Sequence, residues 1–561
     1  MANYGQHYST TKTPQREKAK AGQKENNAGG FTFVLDKWAR LDRFLILGAD
    51  GGSYYASERE MTRDNAKVVE ECLAEDGSRT VARIAEISHS GRAPKNDAAI
   101  FALALAAASK DVPTRTSAYT ALKLVCRTGT HLFQFVRDAK NFRGWSGGLR
   151  RAVAAWYGDK KPDKLAYQLL KYQQRHGYSN RDLLRLSHAE PPTPQHSAAY
   201  RWTIGGDNAE RSVLNGKTKQ ARSYGPIVVD DIPRLLRAYD QELKASKSPK
   251  ETAKLVREYG FTHEMVPNEH KKSPDVWEAL LEKMPQTALV RNLGKMTAVG
   301  LFKPMGTATK KAAAMLADLD RLKKGRVHPI ALLSALRVYE QGHGEKGKLT
   351  WEPMREVVDA LNEAFYMAFD AITPTGKNHM LALDVSGSMS SGTIADCPGL
   401  TPRVASAAMA MVTARTEQNW YVMGFADHFI KLDISPKQRL DDVVRKISNI
   451  PFGGTDCALP MLHAIEKNID VDCFVVFTDS ETWSGDVHPF QALKQYRKHS
   501  GRDAKLAVVG MTATEFTIAD PSDAGMLDFV GFDTAAPALL ADFARGEGAT
   551  LPSKEEAEDV E

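Results

Sequence analysis

The stretch HMLALDVSGSM, residues 379–389, runs from an apolar segment into an Asp-x-Ser-x-Ser loop. The apolar segment has the composition of a buried parallel strand, and the loop follows its carboxyl end. Open α/β sheets bind ligands at the carboxyl ends of their strands. The carboxylate of Asp384 and the hydroxyls of Ser386 and Ser388 are hard oxygen ligands, which suit Mg²⁺ or Mn²⁺. The stretch therefore predicts an α/β fold and a divalent-cation site together.

The sequence after this stretch alternates apolar runs with helical patterns, which is typical of βαβ units around a parallel sheet. Two later loops add oxygen ligands: Thr455 lies in a Gly-flanked loop, and Asp479 follows the strand predicted at 473–477. The three loops resemble the metal ion-dependent adhesion site (MIDAS) of von Willebrand factor A domains, which implies a Rossmann-like A domain at 372–545. The ligand set that the resemblance implies for one Mg²⁺, or another divalent cation such as Mn²⁺, is Asp384, Ser386, Ser388, Thr455 and Asp479. In the alternative interpretation these side chains cap helix N-termini.

Charge divides the chain into a basic and an acidic part. Residues 1–370 carry a formal net charge of +17 and residues 371–561 carry −11, which gives +6 overall. The basic part is the one that attracts a polyanion such as RNA. No stretch approaches the roughly 20 apolar residues of a membrane helix, and the polar N-terminus is not a secretory signal. The five cysteines have no metal-knuckle spacing and indicate a reduced, cytoplasmic protein.

The basic part has helical periodicity over residues 31–365, with short Gly- and Pro-containing breakers between the helices. This pattern favours a HEAT-like α-solenoid, and an ordinary helical bundle is the alternative. Residues 1–28 are polar and Lys-rich and predict a disordered basic arm. Residues 191–230 are rich in Pro, Gly, Ser and Asn and predict a long loop, and residues 546–561 predict an acidic tail.

Two neighbouring segments of the helical part mix basic residues with Tyr and His. Lys171 and Arg175 are four residues apart and are predicted to share a helix face. Arg181, Arg185 and His188 predict a second basic stripe. The leucines predicted to face the core of that second helix are Leu183, Leu184 and Leu186. Basic helix faces suit a phosphate backbone, and interleaved aromatic rings suit stacking on unpaired bases; the alternative is a solvated charged face without a ligand.

Several blocks of the chain resemble the TROVE module of Ro 60 kDa proteins. They are RFLILGADGGSYY (43–55), VCRTGTHLF (125–133), KYQQR (171–175), DLLRLSH (182–188), MPQTALVRNLGKMT (284–297) and GHGEKGKLTW (342–351). The resemblance implies a ring of HEAT-like repeats at 29–365, closed by the A domain into a monomer. It also implies that Y or Y-like RNA binds the outer surface of the ring. Misfolded noncoding RNA is expected there too, with a single-stranded 3′ end passing through the ring.

The same resemblance carries RNA-binding roles onto Lys171, Arg175 and His188. Further candidates in the matching blocks, each with a core role available to it, are Arg127, Thr130, His131, Arg291, Asn292 and Lys295. Residues 191–260 depart from the pattern of animal relatives, so no RNA contact is carried over there. Bacterial relatives associate with an exoribonuclease through a Y-like RNA, so such a nuclease is an expected partner and a bacterial or phage source is expected.

Three functions compete at this point. The leading hypothesis is a non-enzymatic ribonucleoprotein component that presents noncoding RNA for quality control. The alternative is an A-domain protein that binds partners through its metal site, with the basic helices incidental. A metal-dependent hydrolase is disfavoured, because neither a general base nor a second metal set stands beside Asp384 and Asp479.

Overall fold

The computed structural model consists of a helical region followed by an α/β domain. The residues that it describes are 12–48, 66–205, 231–344, 348–369, 373–394, 397, 399–432, 434–450, 453–532 and 535–546. In these ranges, no helix is long and apolar enough to span a membrane.

The helical region is built from consecutive helices that pack on their neighbours in sequence. They are α1 (Lys37–Leu47), α2 (Lys67–Glu75), α3 (Gly77–Ser90), α4 (Asp97–Ala108), α5 (Val112–Val125), α6 (Gly129–Arg143), α7 (Gly147–Gly158), α8 (Pro162–Lys171), α9 (Asn180–Ser187), α10 (Pro194–Gly205), α11 (Arg234–Ala238), α12 (Pro249–Tyr259), α13 (Pro274–Glu282), α14 (Gln286–Ala298), α15 (Thr307–Leu316), α16 (Leu319–Lys324), α17 (Pro329–Glu340) and α18 (Arg355–Met367). Asp36, Asp76 and Asp111 begin α1, α3 and α5 by accepting hydrogen bonds from first-turn N–H groups. Because α3 packs on α5, and α4 packs on α5 and α6, each helix buries the apolar face of its neighbours.

A segment near the beginning of the helical region contacts a segment near its end. Arg326 donates a hydrogen bond to the carbonyl oxygen of His89 at 3.2 Å, and the His328 ring nitrogen Nε2 lies 3.1 Å from the carbonyl oxygen of Arg92. His89 lies at the end of α3, whereas His328 is the N-cap of α17. These contacts, together with the packing of successive helices, join the helices from α3 to α17 into a ring, so the predicted helical ring is confirmed.

The α/β domain is built on a six-stranded sheet that is parallel except at one edge. The strands in the described ranges are β1 (Gln23–Glu25), β2 (Phe31–Val34), β3 (Gln174–Arg175), β4 (Tyr178–Ser179), β5 (Asn378–Asp384), β6 (Asn419–Phe425), β7 (Phe429–Lys431), β8 (Cys473–Thr478), β9 (Lys505–Gly510), β10 (Phe516–Thr517) and β11 (Met526–Phe529). The main sheet has the order β11-β9-β8-β5-β6-β7, and only β7 is antiparallel to its neighbour.

Helices accompany this sheet, and its central strands are buried. The helices are α19 (Pro402–Thr416), α20 (Leu440–Ser448), α21 (Leu459–Glu466), α22 (Pro489–Ser500) and α23 (Ala535–Arg545). Every residue of β8 is buried, and so is every residue of β5 after Asn378. This explains why both strands are continuous apolar runs in the sequence. The predicted α/β domain after the helical region is therefore confirmed.

The N-terminal segment belongs to the α/β domain, so the prediction of a disordered arm at 1–28 is wrong for residues 12–28. Strand β2 pairs with β1 on one side and with β10 on the other, forming a second, three-stranded sheet. Gln15 donates a hydrogen bond to the carbonyl oxygen of Val487 at 2.8 Å, and Asn26 donates one to that of Thr482 at 2.9 Å. The segment has few apolar residues, so its composition predicts disorder. Its order comes instead from hydrogen bonds to a distant part of the chain; residues 1–11 lie outside the described ranges.

The long loop predicted at 191–230 is wrong at its beginning, where the chain forms α10. Six consecutive residues of α10 are buried: His196, Ser197, Ala198, Ala199, Tyr200 and Arg201. The ring contact of Tyr200 with Tyr157 of α7, and the contact of His196 Nε2 with the Lys160 carbonyl oxygen at 2.7 Å, hold this helix on its neighbours and override the local Pro and Ser content. Residues 206–230 lie outside the described part of the chain, as do residues 547–561 of the predicted acidic tail.

Candidate functional site

The predicted metal ligands lie together at the carboxyl edge of the parallel sheet. Strand β5 ends at Asp384, and the adjacent parallel strand β8 ends one residue before Asp479. The loop of Thr455 joins them, because the Thr455 carbonyl oxygen accepts a hydrogen bond at 3.0 Å from the N–H of Trp483, shortly after Asp479. All five predicted ligands are no more than 2 % exposed: Asp384, Ser386, Ser388, Thr455 and Asp479. The topology thus assembles from three loops the set that the sequence predicts.

Hydrogen bonds hold part of this site in place. The N–H of Ser386 donates to Asp384 Oδ1 at 2.9 Å, and Thr478 Oγ1 donates to Asp384 Oδ2 at 2.7 Å. The hydroxyl oxygens of Ser386 and Ser388 lie 3.1 Å apart. The carboxylate and both hydroxyls are therefore oriented before any ligand arrives.

Two oxygens of the site are buried without a hydrogen-bond partner: Thr455 Oγ1 and Asp479 Oδ2. Each unsatisfied buried polar group lowers the folding stability by about 1–3 kcal/mol. A ligand that binds these two oxygens would therefore stabilise the protein. Burial raises the pKa of both Asp384 and Asp479, and Asp479 raises that of Asp384 further by repulsion. A cation relieves both costs, and an all-oxygen donor set suits a hard divalent ion. In the described part of the chain, no group of three or more His, Cys, Asp or Glu is placed to hold a metal, so these hydroxyls would have to serve as ligands.

Side chains of the N-terminal segment donate hydrogen bonds to residues next to the predicted metal ligands. The sequence did not predict these contacts. Gln15 Nε2 donates a hydrogen bond to Asp456 Oδ1 at 2.7 Å, directly after Thr455. Asn27 Nδ2 donates to Glu481 Oε1 at 2.6 Å, two residues after Asp479. Burial and the nearby Asp479 raise the pKa of Glu481 to about 7. No local signal in the sequence links residues so far apart, because the partners meet only in the folded chain.

In the helical region, the structure separates Lys171 from Arg175, so the prediction that they share a helix face is wrong. Helix α8 ends at Lys171, and Arg175 lies in β3 of a short β3–β4 hairpin. His176 and Gly177 form the turn with φ angles of 53° and 78°. Positive φ at two successive residues, one of them glycine, is the signature of a tight hairpin turn and cannot continue a helix.

The hairpin instead joins Arg175 to basic residues of α6. Arg137 Nη1 lies 3.1 Å from the Nδ1 atom of His176, and Lys140 Nζ lies 5.8 Å from the centre of the Tyr178 ring. Arg175 and Lys140 are exposed. We call the surface formed by Arg137, Lys140, Arg175, His176 and Tyr178 the hairpin surface. Sequence reasoning missed Arg137 and Lys140, although their spacing of three residues on a helix was a signal for a shared face.

Helix α9 continues from this hairpin and carries Arg181 and Arg185 on its exposed side. Its predicted stripe ends earlier than expected, because His188 is the C-cap with a φ of 50° and lies beyond the helix. Leu183 and Leu184 are buried as predicted, but Leu186 is 41 % exposed, so its predicted core position is wrong. The reason is that Leu186 follows Arg185 directly on the solvent-facing side of a helix only eight residues long.

Lys171 faces away from solvent, with a side chain that is 14 % exposed. Its Nζ donates a hydrogen bond to Tyr167 Oη at 3.0 Å and lies 3.9 Å from Glu264 Oε1. Burial disfavours the ammonium, but the Tyr167 hydrogen bond and the Glu264 charge leave the pKa of Lys171 above its ordinary value. Lys171 is thus a charged group inside a pocket, and the exposed basic residues lie on the hairpin surface and α9.

His131 and Arg127 occupy structural positions. Burial and the neighbouring Arg127 lower the pKa of His131 to about 4, so the ring is uncharged near neutral pH and is no phosphate-binding cation. Arg127 donates hydrogen bonds at 3.0 Å to the carbonyl oxygens of Ser88 and Leu124. In α14, Arg291 is exposed, whereas Asn292 donates a hydrogen bond to Ala288 of its own helix at 2.8 Å.

A closed ring of helices joined to a domain of the von Willebrand factor A type, with a MIDAS-like set of oxygens at the sheet edge, defines the class of this protein. Family models match both parts: the TROVE domain over residues 24–259 and 244–337, and the Ro60 vWA domain over 378–544. The chain belongs to the Ro60 family, as the sequence resemblance predicts.

Similar proteins span almost the whole chain. The chain is 43 % identical over 538 residues to the RNA-binding protein RO60 of Deinococcus radiodurans, covering 95 % of this chain and 97 % of the relative. It is 37 % identical over 595 residues to the RNA-binding protein RO60 of Caenorhabditis elegans, covering 95 % and 92 %. The crystal structure of the Deinococcus radiodurans RO (RSR) protein matches with a TM-score of 0.66 and 40 % identity, covering 91 % of this chain and all of that one.

Proposed function

We propose that this protein binds small structured noncoding RNA on an exposed basic surface of its helical ring. The observation that carries the proposal is the hairpin surface, where Arg137, Lys140 and Arg175 adjoin Arg181 and Arg185 of α9. Clustered cations of this kind bind a phosphate backbone, and the nearby Tyr178 ring suits stacking on an unpaired base. Two similar proteins are named as RNA-binding proteins, not as enzymes, and no catalytic role is proposed.

In this proposal a Y or Y-like RNA occupies the outer surface of the ring. Misfolded noncoding RNA binds as a second class of ligand, with a single-stranded 3′ end inside the ring. The protein acts as a monomer in the cytoplasm and presents RNA to an exoribonuclease for quality control. The five cysteines are free and buried, which suits a reducing compartment. Closure of the ring by contacts within one chain supports the monomer.

Replacing Arg175 and Arg181 together with Ala should weaken binding of a structured small RNA roughly tenfold at 0.15 M salt and lower the salt slope by about two. The physical reason is the loss of two exposed cations that contact phosphate. The measurement is fluorescence anisotropy at several salt concentrations. The charge-matched control is Arg355→Ala with Lys467→Ala, two exposed cations elsewhere on the protein. An equal loss in both double variants would show that net charge alone attracts RNA and that the assigned surface is wrong.

For the A-type domain, we propose a Mg²⁺ or Mn²⁺ ion held by Asp384, Ser386, Ser388, Thr455 and Asp479. The support is the pair of unsatisfied buried oxygens and the two buried carboxylates described above. Five ligands leave one position of an octahedral ion open, so the bound ion would accept a carboxylate oxygen of a partner there. This docking role is the second candidate function, and it does not compete with RNA binding.

Saturating Mg²⁺ should stabilise the wild-type protein by about 2.7 kcal/mol at a concentration one hundred times the dissociation constant. The Asp384→Ala variant should lose this gain, because one of two charged ligands is gone. The measurement is the unfolding midpoint with and without Mg²⁺ in a chelator-treated sample. Asp470→Ala removes an exposed carboxylate of the same domain and should keep the full gain. A wild-type protein that gains nothing from Mg²⁺ or Mn²⁺ would refute the metal proposal.

A further inference from the structure

A pocket opens beside Lys171, between the end of α8, the segment after α12 and the helices α13 and α14. Among the residues that line it are Lys171, Thr262, Glu264, Leu280 and Met284. The free space between its walls, counted together with the open solvent at its mouth, amounts to about 390 Å³. Leu280 and Met284 are buried and form an apolar wall. Lys171, Thr262 and Glu264 contribute polar atoms to the same pocket.

Two oxygens in this pocket are buried without a hydrogen-bond partner: Thr262 Oγ1 and Glu264 Oε2. Glu264 Oε2 lies 3.1 Å from the Nδ1 atom of His263 but not in the geometry of a hydrogen bond. Glu264 Oε1 lies 3.9 Å from Lys171 Nζ, so an acceptor carboxylate stands directly beside a donor ammonium. Unpaired buried oxygens are costly, and a ligand that donates hydrogen bonds to them would recover this cost.

The surroundings of the pocket are basic. Lys171, Lys271 and Arg291 all act electrostatically on His263 at its wall, and Lys295 acts on Lys271. These cations attract a polyanion to the mouth. A phosphate itself is a poor occupant, because the Glu264 carboxylate would repel it. The pocket therefore fits the uncharged part of a nucleic acid, with the phosphates left at the cationic rim.

We propose that the pocket binds one unpaired guanine base of an RNA, a site that rests on the proposed RNA-binding function and deepens it. The Watson–Crick edge of guanine presents two adjacent N–H donors next to a carbonyl acceptor. Two donors match the Glu264 carboxylate, and the acceptor matches the Lys171 ammonium. Adenine, cytosine and uracil do not have two adjacent N–H donors beside an acceptor on their Watson–Crick edges. Reading a splayed base on this edge is the usual route to sequence specificity in single-stranded RNA.

The test uses the full chain and four 12-nucleotide RNAs, each of adenosines with a central G, A, C or U, in fluorescence anisotropy. The RNA with G should bind about tenfold tighter than the others, which is within the range of a bidentate contact. In Glu264→Gln, which keeps the size of the side chain and loses an acceptor, the four RNAs should bind alike. The matched control is Glu278→Gln on α13, an exposed residue outside the pocket lining, which should keep the preference for G.

A second measurement needs no variant of the protein. Inosine in place of G lacks the exocyclic amino donor, and 2-aminopurine lacks the carbonyl acceptor and the ring N–H, so both should lose most of the preference with the wild-type protein. Equal binding of all four RNAs by the wild type would overturn the pocket proposal and leave the RNA-binding function standing. A preference for another base, or a preference for G that survives Glu264→Gln, would also overturn it. Failure to bind these RNAs and structured RNA alike would overturn the proposed function itself.

Discussion

Replacing Arg43 with Ala should destabilise the protein by about 3–5 kcal/mol, the usual cost of breaking a buried ion pair from one side. Arg43 lies in α1, and its side chain is 2 % exposed. Its guanidinium donates to both carboxylate oxygens of Asp528 at 2.7 and 2.8 Å, and to the carbonyl oxygen of Thr514 at 2.8 Å. The variant would leave the buried Asp528 carboxylate without its cation and would remove the hydrogen bond to the Thr514 carbonyl oxygen. Gly510, the last residue of β9, packs directly against the Arg43 guanidinium. A Cβ at this position would lie only 2.7 Å from Arg43 Nη2, so only glycine leaves room for the arginine.

The measurement is the denaturant midpoint for unfolding of the α/β domain in the full chain, followed by near-ultraviolet circular dichroism. The matched control is Arg257→Ala, which removes a pair with Glu282 of similar length, 2.7 Å, between side chains that are 42 % and 35 % exposed. An exposed pair contributes about 1 kcal/mol or less, so the control should barely move the midpoint. Equal losses in both variants would mean that α1 is not anchored through Arg43.

The second large effect is expected for Phe33→Ala, at about 3–5 kcal/mol, the usual cost of deleting a buried phenyl ring. Phe33 lies in β2 of the N-terminal segment, yet it is 2 % exposed and belongs to the core of the α/β domain. Its ring meets that of Phe490 edge-on, with centres 5.6 Å apart. The variant would open a cavity in a domain whose other core residues come from the far end of the chain.

The control for this variant is Phe31→Ala in the same strand. Phe31 is only partly buried, so its replacement should cost about 1 kcal/mol, the centre of the range for point substitutions. Both variants are compared by the same unfolding midpoint. A cost for Phe33→Ala no greater than that of the control would refute the placement of residues 12–34 in the core of the α/β domain.

Together these contacts hold the ring by both of its ends. Arg43 and β2 attach the first helices to the α/β domain, and a short ion pair between Arg439 and Asp359 attaches α18. Both ends of the described helical ring are therefore attached to the α/β domain, and the ring presents its basic surface on a closed frame. A binding surface that is ordered in advance loses less conformational entropy when a ligand binds.

The grouping of the five proposed metal ligands at one sheet edge was predictable, because these residues lie in short local motifs. Three of the five residues lie within five positions of one another, and the other two each follow a recognisable strand or glycine pair. Parallel strands bring their carboxyl ends to one edge, so the loops had to meet. The support from Gln15 and Asn27 was not predictable, because polar side chains carry no sign of which distant backbone they will contact.

The basic surface was predicted only in part. Arg175, Arg181 and Arg185 are exposed as expected, but the helix that should have joined Lys171 to Arg175 does not exist. Gly177 was the sequence signal for the turn. The four-residue spacing of Lys171 and Arg175 predicted a helix instead. Arg137 and Lys140 joined the surface because the hairpin packs on α6, which is a fact of packing and not of spacing.

The sequence by itself determined the two regions, the helical and the α/β pattern, the family and the set of oxygen side chains that gathers at the sheet edge, because periodicity and local motifs act over a few residues. Only the tertiary structure decided that the N-terminal segment completes the α/β domain, that the helices close into a ring through Arg326 and His328, and that Lys171 faces a pocket. Each of these depends on contacts between residues far apart in the chain. Such contacts form because folding satisfies buried polar groups and fills the core, and a linear pattern does not encode which partners will do so.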